Sequence, residues 1–544
     1  MNLLREQKTI NSALWAAAGD AIGWISELTD ENGLRHRVGD TYLLKPVGWN
    51  RKIGGYTGVT VSLPAGTYSD DTQLRLAVSR AIRDNGEFDI ESFAKIELPV
   101  WLSYALGAGR ATKWAASNLM RKDTTWFSNF YKTNGIEYIN AGGNGTAMRI
   151  QPHVWSCKDL SKRSYIASVI KDSLVTHGNL LAVCGAILHA DTLQFALLNE
   201  RPADISDLQK IIEDFSSIPE IINSIYELKN FWLPNWESIS QKKLSDEIES
   251  IRIETKDYLS KVINATSKIN DPSEKYKVAI DVLDCNKEAR RGTATNTAIA
   301  SAVLCHLFRE SSPYDAMVTC VNELGTDTDS IASMAGAIIG CYNEIPKWDI
   351  QDSEYIINES IRLNHISEGM AVNNFSYPKI NKWLAPQTQS DSLVKSDSGN
   401  YYVLGLGHAN PLKKESWQTK THCWQWLKLS FGQTILIKCK IGDLKTIKIP
   451  ELRNSEPMPK NENITATKLA KPIEREIQGS FDYEIKKSNE LDLDEVTTLL
   501  IREGFDEKRI GHFLIELADK KGLEACIAYA AIIGKAFITR KKKQ

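Results

Sequence analysis

The segment NSALWAAAGDAIGWISE, residues 11–27, combines helix-favouring residues with unusually many small ones. Gly19 and Gly23 are four positions apart and therefore lie on the same face of a helix. Small residues on one face allow the backbone of a second helix to come close. This segment therefore predicts a central helix that packs tightly against another helix.

Four further segments repeat the mixture of small residues with Leu, Ile and Val at helical spacing. They are TQLRLAVSRAI (72–82), HGNLLAVCGAILHA (177–190), NTAIASAVLCHLF (296–308) and SIASMAGAIIGCY (330–342). The repeated pattern predicts a mainly α protein in which residues 1–385 form one compact all-α domain.

The composition changes after residue 385. Residues 386–400 are rich in Ser, Asp, Gln and Gly and predict a linker. Short β-branched and aromatic runs at 401–450 predict a small β-rich module. Residues 451–485 predict a polar linker, and 486–544 a C-terminal helical segment with a basic tail. If these boundaries hold, a fragment that ends at residue 388 keeps the chemistry.

Charge and cysteine content restrict the class of protein. The formal net charge of −2 over 544 residues gives no long-range attraction to nucleic acid or to a membrane, so neither is an expected partner. The nine cysteines include no CxxC pair, which argues against a zinc site or a disulfide framework. No run of about 20 apolar residues stands out as a membrane span. We expect a cytoplasmic protein.

The segment GTDTDSIASMAG, residues 325–336, places two carboxylates just before a helical pattern. Residues two positions apart on a helix point in nearly opposite directions. Asp327 and Asp329 can therefore converge only if the first lies in the loop and the second in the first turn. A surface turn and a metal site are both compatible with this arrangement.

The segment YSDDTQ, residues 68–73, has a similar composition. Ser69 followed by Asp70 and Asp71 is typical of a helix N-cap with acidic residues in the first turn. Combined with the aspartates of residues 325–336, these side chains form an oxygen-only set, which favours Mg²⁺ or Mn²⁺. Four aspartates and Glu27 suffice to hold two such ions about 3.5–4 Å apart.

Three other features have ordinary explanations when each is taken alone. Glu27 ends a helix, where a glutamate is normally solvated. The loop GGNGTAMRIQP (142–152) can present backbone N–H groups to a phosphate, but one glycine-rich turn is weak evidence. His177 is typical of a hydrogen-bonded loop or core histidine.

Taken together, five motifs resemble the ADP-ribosylglycohydrolase family in order and local wording, over about residues 8–350. They are GDAIGWISE (19–27), YSDDTQ (68–73), GNGTAMRIQP (143–152), THGNLLAVCGAIL (176–188) and GTDTDSIASMAGAIIGCY (325–342). Two departures are small: Thr326 stands where a glycine is usual, and Ser330 where a threonine is common.

The resemblance implies an all-α fold with a cleft that holds two Mg²⁺ ions, with Mn²⁺ as the alternative. The implied metal ligands are Ser69, Asp70, Asp71, Asp327, Asp329 and Ser330. The implied residues at the diphosphate and distal ribose are Gly143, Asn144, Gly145, Thr146 and His177. Catalytic roles are assigned to Asp70, Asp71, Glu27 and Asp327, and the residue that takes a proton from water is left open.

The resemblance also implies a reaction, namely hydrolysis of the N- or O-glycosidic bond between C1″ of ADP-ribose and an acceptor. Protein arginine is the expected acceptor, with serine, a nucleic-acid base and a free metabolite as the other acceptors left open, so the substrate is an ADP-ribosylated protein or another ADP-ribosylated molecule. Two alternatives stay open. One is a non-catalytic sensor of ADP-ribose or a related nucleotide that signals through C-terminal modules bound to a protein partner. The other is a two-metal phosphoester hydrolase.

Overall fold

The computed structural model divides the chain into two compact units, residues 1–458 and 459–544, and each is described by itself. It describes residues 4–133, 135–412, 415–452 and 505–541. From residue 453 onward the predicted linker at 451–485 lies outside the described residues. So do the predicted helical residues 486–504 and the last three residues of the basic tail.

The first unit contains eighteen α-helices, numbered in chain order among its described residues. They are α1 (Arg5–Ser26), α2 (Glu31–Val38), α3 (Asp70–Ala81), α4 (Ile90–Ser92), α5 (Leu98–Trp101), α6 (Arg110–Leu119), α7 (Gln151–Trp155), α8 (Ile166–Thr176), α9 (Leu180–Asn199), α10 (Ile205–Glu213), α11 (Ile218–Ser224), α12 (Leu233–Ser240), α13 (Leu244–Thr266), α14 (Pro272–Val282), α15 (Ala294–Leu307), α16 (Pro313–Val321), α17 (Thr328–Ile339) and α18 (Ser353–Glu368). Most of the helices predicted from small-residue patterns are present, and the mainly α prediction is confirmed.

The strands form one larger sheet and two hairpin-like pairs. They are β1 (Trp49–Ile53), β2 (Val59–Leu63), β3 (Lys132–Thr133), β4 (Ile136–Glu137), β5 (Leu393–Ser396), β6 (Tyr401–Val403), β7 (Gly407–Pro411), β8 (Trp417–Gln418), β9 (His422–Leu429), β10 (Thr434–Lys440) and β11 (Thr446–Ile447). The larger sheet has the order β10-β9-β7-β6-β5-β11, with β8 paired to β9. Its pairs are antiparallel except β11 with β5. The β-rich region predicted after the helices is confirmed, and it begins at Leu393, inside the predicted linker.

Helices α1 and α17 pack against each other at backbone distance. A methyl group built on Gly19 would lie 2.2 Å from the carbonyl oxygen of Ala332, and one on Gly23 would lie 2.6 Å from Cα of Asp329. A methyl group on Gly336 would likewise meet the carbonyl oxygen of Trp15 at 2.2 Å. The predicted close approach is confirmed. Because the two helices run antiparallel, the end of α1 lies beside the beginning of α17.

The larger sheet packs directly on the helices of the same unit. The N–H of Lys438 in β10 donates to the carbonyl oxygen of Ser103 at 2.8 Å. Asp352, just before α18, accepts hydrogen bonds from the N–H and the hydroxyl of Thr434 at 2.6 and 2.7 Å. Trp426 and Ile437 are buried in the hydrophobic core that also contains the helices. The predicted all-α domain and β-rich module thus share one core.

Helix α9 is long and apolar enough to cross a membrane by length and composition, contrary to the expectation that no segment reaches that length. It is nevertheless packed inside the first unit, since 83% of its most apolar window is buried. The central helix of a soluble protein passes the same test. We therefore interpret α9 as a core helix.

The second unit contributes α19 (Glu507–Lys541) among its described residues. Several of its side chains form a small core of their own, namely Phe505, Leu517, Ala525, Cys526, Tyr529 and Ile533. This agrees with the predicted C-terminal helical segment.

Candidate metal centre and substrate cleft

Asp327 and Asp329 converge as the sequence predicts. Asp327 is the N-cap residue of α17 and has a non-helical backbone, with φ −87° and ψ 71°, whereas Asp329 lies in the first turn. A carboxylate oxygen of each, together with one of Glu27, lies within 4.8 Å of the other two. The close packing of α1 on α17 brings these three residues together, and we call them the acidic cluster.

Glu27 is not solvated, although a glutamate at the end of a helix normally is. Its side chain is 17% exposed, and its carboxylate accepts a hydrogen bond from Arg51 at 3.0 Å. Arg37 donates to the main-chain carbonyls of Ile25 and Glu27, at 2.7 and 3.0 Å. Two arginines thus fix the end of α1 and the direction of the Glu27 side chain.

The first aspartate pair begins α3, and the capping interpretation describes Ser69 correctly. Its hydroxyl accepts a hydrogen bond from the N–H of Asp71 at 3.2 Å. Asp70 and Asp71 are the first two residues of the helix, so neither lies in the loop. Asp70 Oδ1 accepts from the N–H of Ala108 at 2.6 Å. Asp71 Oδ1 is buried and has no hydrogen-bond partner among the described residues.

Asp20 organises this junction, although it is not among the site residues predicted from the sequence. It lies on α1, is fully buried, and accepts hydrogen bonds from the N–H groups of Ser69 and Thr72, both at 2.9 Å. The hydroxyl of Thr72 donates to it as well, at 2.6 Å. Asp20 therefore positions the start of α3 relative to α1. An aspartate within a helix of alanine and glycine was the signal that could have identified it.

The carboxyl groups of this region have raised pKa values. Burial is the main cause for Glu27, Asp70, Asp71 and Asp329, and nearby carboxylates raise each of these pKa values further. The pKa of Asp70 rises to about 7. Negative charge is thus concentrated where it is poorly solvated, and a bound cation would stabilise the ionised form of these groups.

The residues present fit a hard divalent cation. Carboxylate oxygens converge, one buried oxygen of Asp71 lacks a partner among the described residues, and the acidic cluster contains neither sulfur nor imidazole. Ser330 is buried in the first turn of α17, where its hydroxyl lies 3.8 Å from the sulfur of Met148. The ligand roles of Ser69, Asp70, Asp71, Asp327, Asp329 and Ser330 stay predictions.

The glycine-rich loop lies against the acidic cluster. Asn144 donates through its side-chain amide to Asp327 Oδ2 at 2.9 Å, and its N–H donates to the carbonyl oxygen of Gly292 at 2.8 Å. A methyl group on Gly145 would lie 3.1 Å from the Thr112 hydroxyl, whereas one on Gly143 would have no contact closer than 3.6 Å. The loop is therefore packed more tightly at Gly145 than at Gly143.

The remaining predicted substrate residues lie behind this loop. His177 is 2% exposed, its Nδ1 lies 2.8 Å from the Thr176 hydroxyl, and burial lowers its pKa to about 3. The hydrogen-bonded core interpretation is therefore correct, and the ring is neutral. Arg149 donates to the carbonyl oxygen of Gly145 at 2.9 Å. The hydroxyl of Thr146 donates to the carbonyl oxygen of Ala182 at 3.0 Å, and the substrate roles of Thr146 and His177 stay predictions.

The sequence is similar to that of a known family over residues 2–363. A family model described as ADP-ribosylglycohydrolase matches residues 2–363. The uncharacterised protein YegU of Escherichia coli (strain K12) is 24% identical over 359 residues, which cover 63% of this chain and 89% of that protein. ADP-ribosylhydrolase ARH3 of Gallus gallus is 25% identical over 287 residues, which cover 51% of this chain and 70% of that protein.

One solved structure, titled ADP-ribosylglycohydrolase-related protein complex, aligns with a TM-score of 0.42 at 18% identity. The alignment covers 67% of this chain and 99% of that one. The family model itself spans well over half of the 544 residues and includes all five motifs. The chain therefore belongs to the ADP-ribosylglycohydrolase family.

Proposed function

We propose that this protein is a magnesium-dependent ADP-ribosyl hydrolase that cleaves the bond between C1″ of ADP-ribose and an acceptor. The observation that carries the proposal is the convergence of Glu27, Asp327 and Asp329. Asp71 lies near enough that the charge of Asp327 raises the pKa of Asp71 and the charge of Asp71 raises the pKa of Asp329, and the buried Oδ1 of Asp71 has no hydrogen-bond partner among the described residues. Family membership and relatives named ADP-ribosylhydrolases support it.

The acidic residues would hold two Mg²⁺ ions, with Mn²⁺ as an alternative. Asp71, Asp327 and Asp329 are the principal ligands in this proposal, and Asp70, Ser69 and Ser330 complete the set. Bound ions would supply Lewis acidity, which lowers the pKa of a water molecule and orients ribose hydroxyls. Asn144 holds Asp327 in place through its side-chain amide.

The other residues bind the substrate and move a proton. In this proposal main-chain N–H groups of the loop at Gly145 bind the diphosphate, while the Asn144 N–H is already bound to Gly292, and His177 packs against the loop at Gly145. Glu27, Asp70 and Asp71 are the carboxylates that can accept the proton of the attacking water. Water adds to C1″, and the acceptor leaves with its N–H or O–H restored.

The acceptor and the compartment follow from the family resemblance and the cysteine pattern. The resemblance favours protein arginine as the acceptor and leaves serine, a nucleic-acid base and a free metabolite open, and the cytoplasm is the proposed location because no CxxC pair or disulfide pattern is present in the sequence. A panel of substrates with arginine, serine and nucleic-acid linkages tests the acceptor.

Chelation tests the reaction itself. The full chain is treated with EDTA and then with Mg²⁺, while the products are separated by chromatography. We expect ADP-ribose release to stop and then to recover. Release that is indifferent to EDTA contradicts a metal role, AMP with ribose phosphate indicates a phosphoester hydrolase, and ADP-ribose binding without turnover indicates a sensor.

A further inference from the structure

A cleft of about 340 Å³ lies between the sheet and the helices, next to the acidic cluster. We call it the sheet-side cleft. Its lining includes Arg51, Lys52, Gly107, Lys113, Trp424 and Lys438. It lies on strand β1, the segment before α6, α6 itself, and strands β9 and β10. Strands β9 and β10 lie beyond residues 2–363, which the family model matches.

Two lining residues connect this cleft to the acidic cluster and its neighbours. Arg51 donates to the carboxylate of Glu27 at 3.0 Å. Gly107 has a φ of +101°, and a methyl group there would lie 2.4 Å from Oδ1 of Asp70. Asp70 therefore lies directly against the backbone of the cleft wall at Gly107 and Ala108.

The cleft is basic. The ionisable side chains among its described lining residues are Arg51, Lys52, Lys113 and Lys438. Arg51 is paired with Glu27, whereas no ion pair joins the three lysines to a carboxylate in the part of the chain that the structure describes. The chain as a whole has a net charge of −2, so this is a local concentration of positive charge.

Exposed aromatic side chains flank the basic residues. Tyr56 follows Gly55 of the lining between β1 and β2 and is 95% exposed, with the Lys52 ammonium 5.1 Å from its ring centre. Trp114, which follows Lys113 on α6, is 45% exposed but does not line the cleft. Lysines interleaved with exposed aromatic rings are typical of surfaces that bind single-stranded nucleic acid, because the lysines meet phosphates and the rings stack on bases.

We propose that the sheet-side cleft binds the acceptor part of the substrate and that this acceptor is a single-stranded nucleic acid. The inference rests on the proposed hydrolase function. Phosphates pair with Lys52, Lys113 and Lys438, a base stacks on Tyr56, and the ADP-ribosylated nucleotide lies at the end of the cleft where Arg51 contacts Glu27. Hydrolysis adds water across the C1″ bond and yields free ADP-ribose and the unmodified nucleic acid. An arginine side chain would meet like charge in this cleft.

Binding is tested first, with an unmodified fluorescent oligodeoxynucleotide of about 12 residues and the full-length protein. We expect Lys52→Glu combined with Lys438→Glu to weaken binding at least about tenfold at moderate salt and to reduce its salt dependence. Tyr56→Ala, at a fully solvated side chain, should weaken binding severalfold. The matched control is Lys268→Glu, which changes an exposed lysine of the segment after α13 and should leave binding within about twofold.

Turnover is tested with two substrates, an ADP-ribosylated oligonucleotide and a peptide ADP-ribosylated on arginine. We expect the natural protein to prefer the oligonucleotide in kcat/KM, and the double lysine variant to lose this preference through KM. Equal melting temperatures for the natural and variant proteins show that the variant is folded. If the double variant does not fold, Lys52→Glu alone, at an exposed residue, replaces it.

Three outcomes overturn the acceptor assignment. They are a preference for the arginine-linked peptide, oligonucleotide binding that the lysine changes leave intact, and a phosphopeptide that competes as well as an oligonucleotide. Failure of both substrates to release ADP-ribose with Mg²⁺ present contradicts the proposed hydrolase function instead. The two failures are distinguishable because oligonucleotide binding is measured without turnover.

Discussion

The two sides of the acidic cluster are built differently. On the side of the glycine-rich loop, Asn144, Arg149 and His177 are buried and hydrogen-bonded to the main chain or to neighbouring side chains. On the sheet side, Lys52 and Lys113 are exposed. The loop side lies within the family-matched residues, whereas strands β9 and β10 of the other wall do not. Because β9 and β10 belong to a later segment of the chain, the residues of the sheet-side wall can vary without disturbing the buried loop side.

The largest expected effect is at the cluster that both sides share. Asp327→Ala and Asp329→Ala should each reduce turnover roughly a thousandfold, or about 4 kcal/mol, because each would remove a proposed metal ligand. Metal-free stability should not fall, since fewer carboxylates then repel one another. The measurement is ADP-ribose release at limiting Mg²⁺, with circular dichroism as the folding control. Near-native turnover in either variant would show that the ligand assignment is wrong.

Removal of the sheet tests whether its wall is separable. The fragment 1–388 was expected from the linker composition to keep the chemistry. Because Trp426 and Ile437 are buried in the shared core, we now expect this fragment to melt roughly 10 °C or more below the full chain. The matched control is 1–452, which retains all eleven strands. Equal melting temperatures for the two fragments would show that the β-rich module is separable from the helices.

A pair of glycine substitutions tests the role of the glycine-rich loop. Gly145→Val should weaken ADP-ribose binding roughly tenfold or more, since its side chain would press on Thr112 and His177. Gly143→Ala is the control and should change the affinity little, because a methyl group there meets only ordinary contacts. Calorimetry with ADP-ribose measures both affinities. Equal effects at the two positions would argue against a specific role for Gly145.

The smallest expected effect is on pH dependence without metal. The usual pKa of an aspartate is 3.8, and that of folded Asp70 is about 7. Between these values the folded state binds more protons than the unfolded state, so its stability is greatest below pH 4 as far as this group is concerned and falls as pH rises to 7. Melting temperatures in EDTA should follow this direction, and Asp70→Asn should flatten the slope. A slope that rises more steeply in the natural protein than in Asp70→Asn would contradict it.

The local part of the fold and of the site was predictable from the sequence. Helical spacing of small residues in 11–27 and 330–342 predicted two helices in close contact, and the structure pairs them as α1 and α17. Asp327 and Asp329 could converge in only one way, and the structure shows that way. These predictions succeeded because glycine packing, helix capping and side-chain direction depend on residues a few positions apart.

Contacts between distant segments could not be predicted in the same way. Nothing near Glu27 in the sequence shows that Arg51 pairs with it, nor that Gly107 lies against Asp70. The Ser- and Gly-rich composition of residues 386–400 does not show whether the strands that follow pack on the helices. In the structure they do, for example where Thr434 of β10 donates to Asp352. A net charge of −2 is likewise an average over the whole chain.

The sequence alone therefore determined the helices, the two aspartate junctions and the family, because these depend on local pattern and motif order. Only the tertiary structure decided which side chains neutralise Glu27, which segment supports Asp70, and where the sheet sits. It also decided that Lys52 and Lys438, 386 positions apart, line one cleft. The physical reason is that charge and burial act through distance in space, and folding brings together residues that the order of the chain keeps far apart.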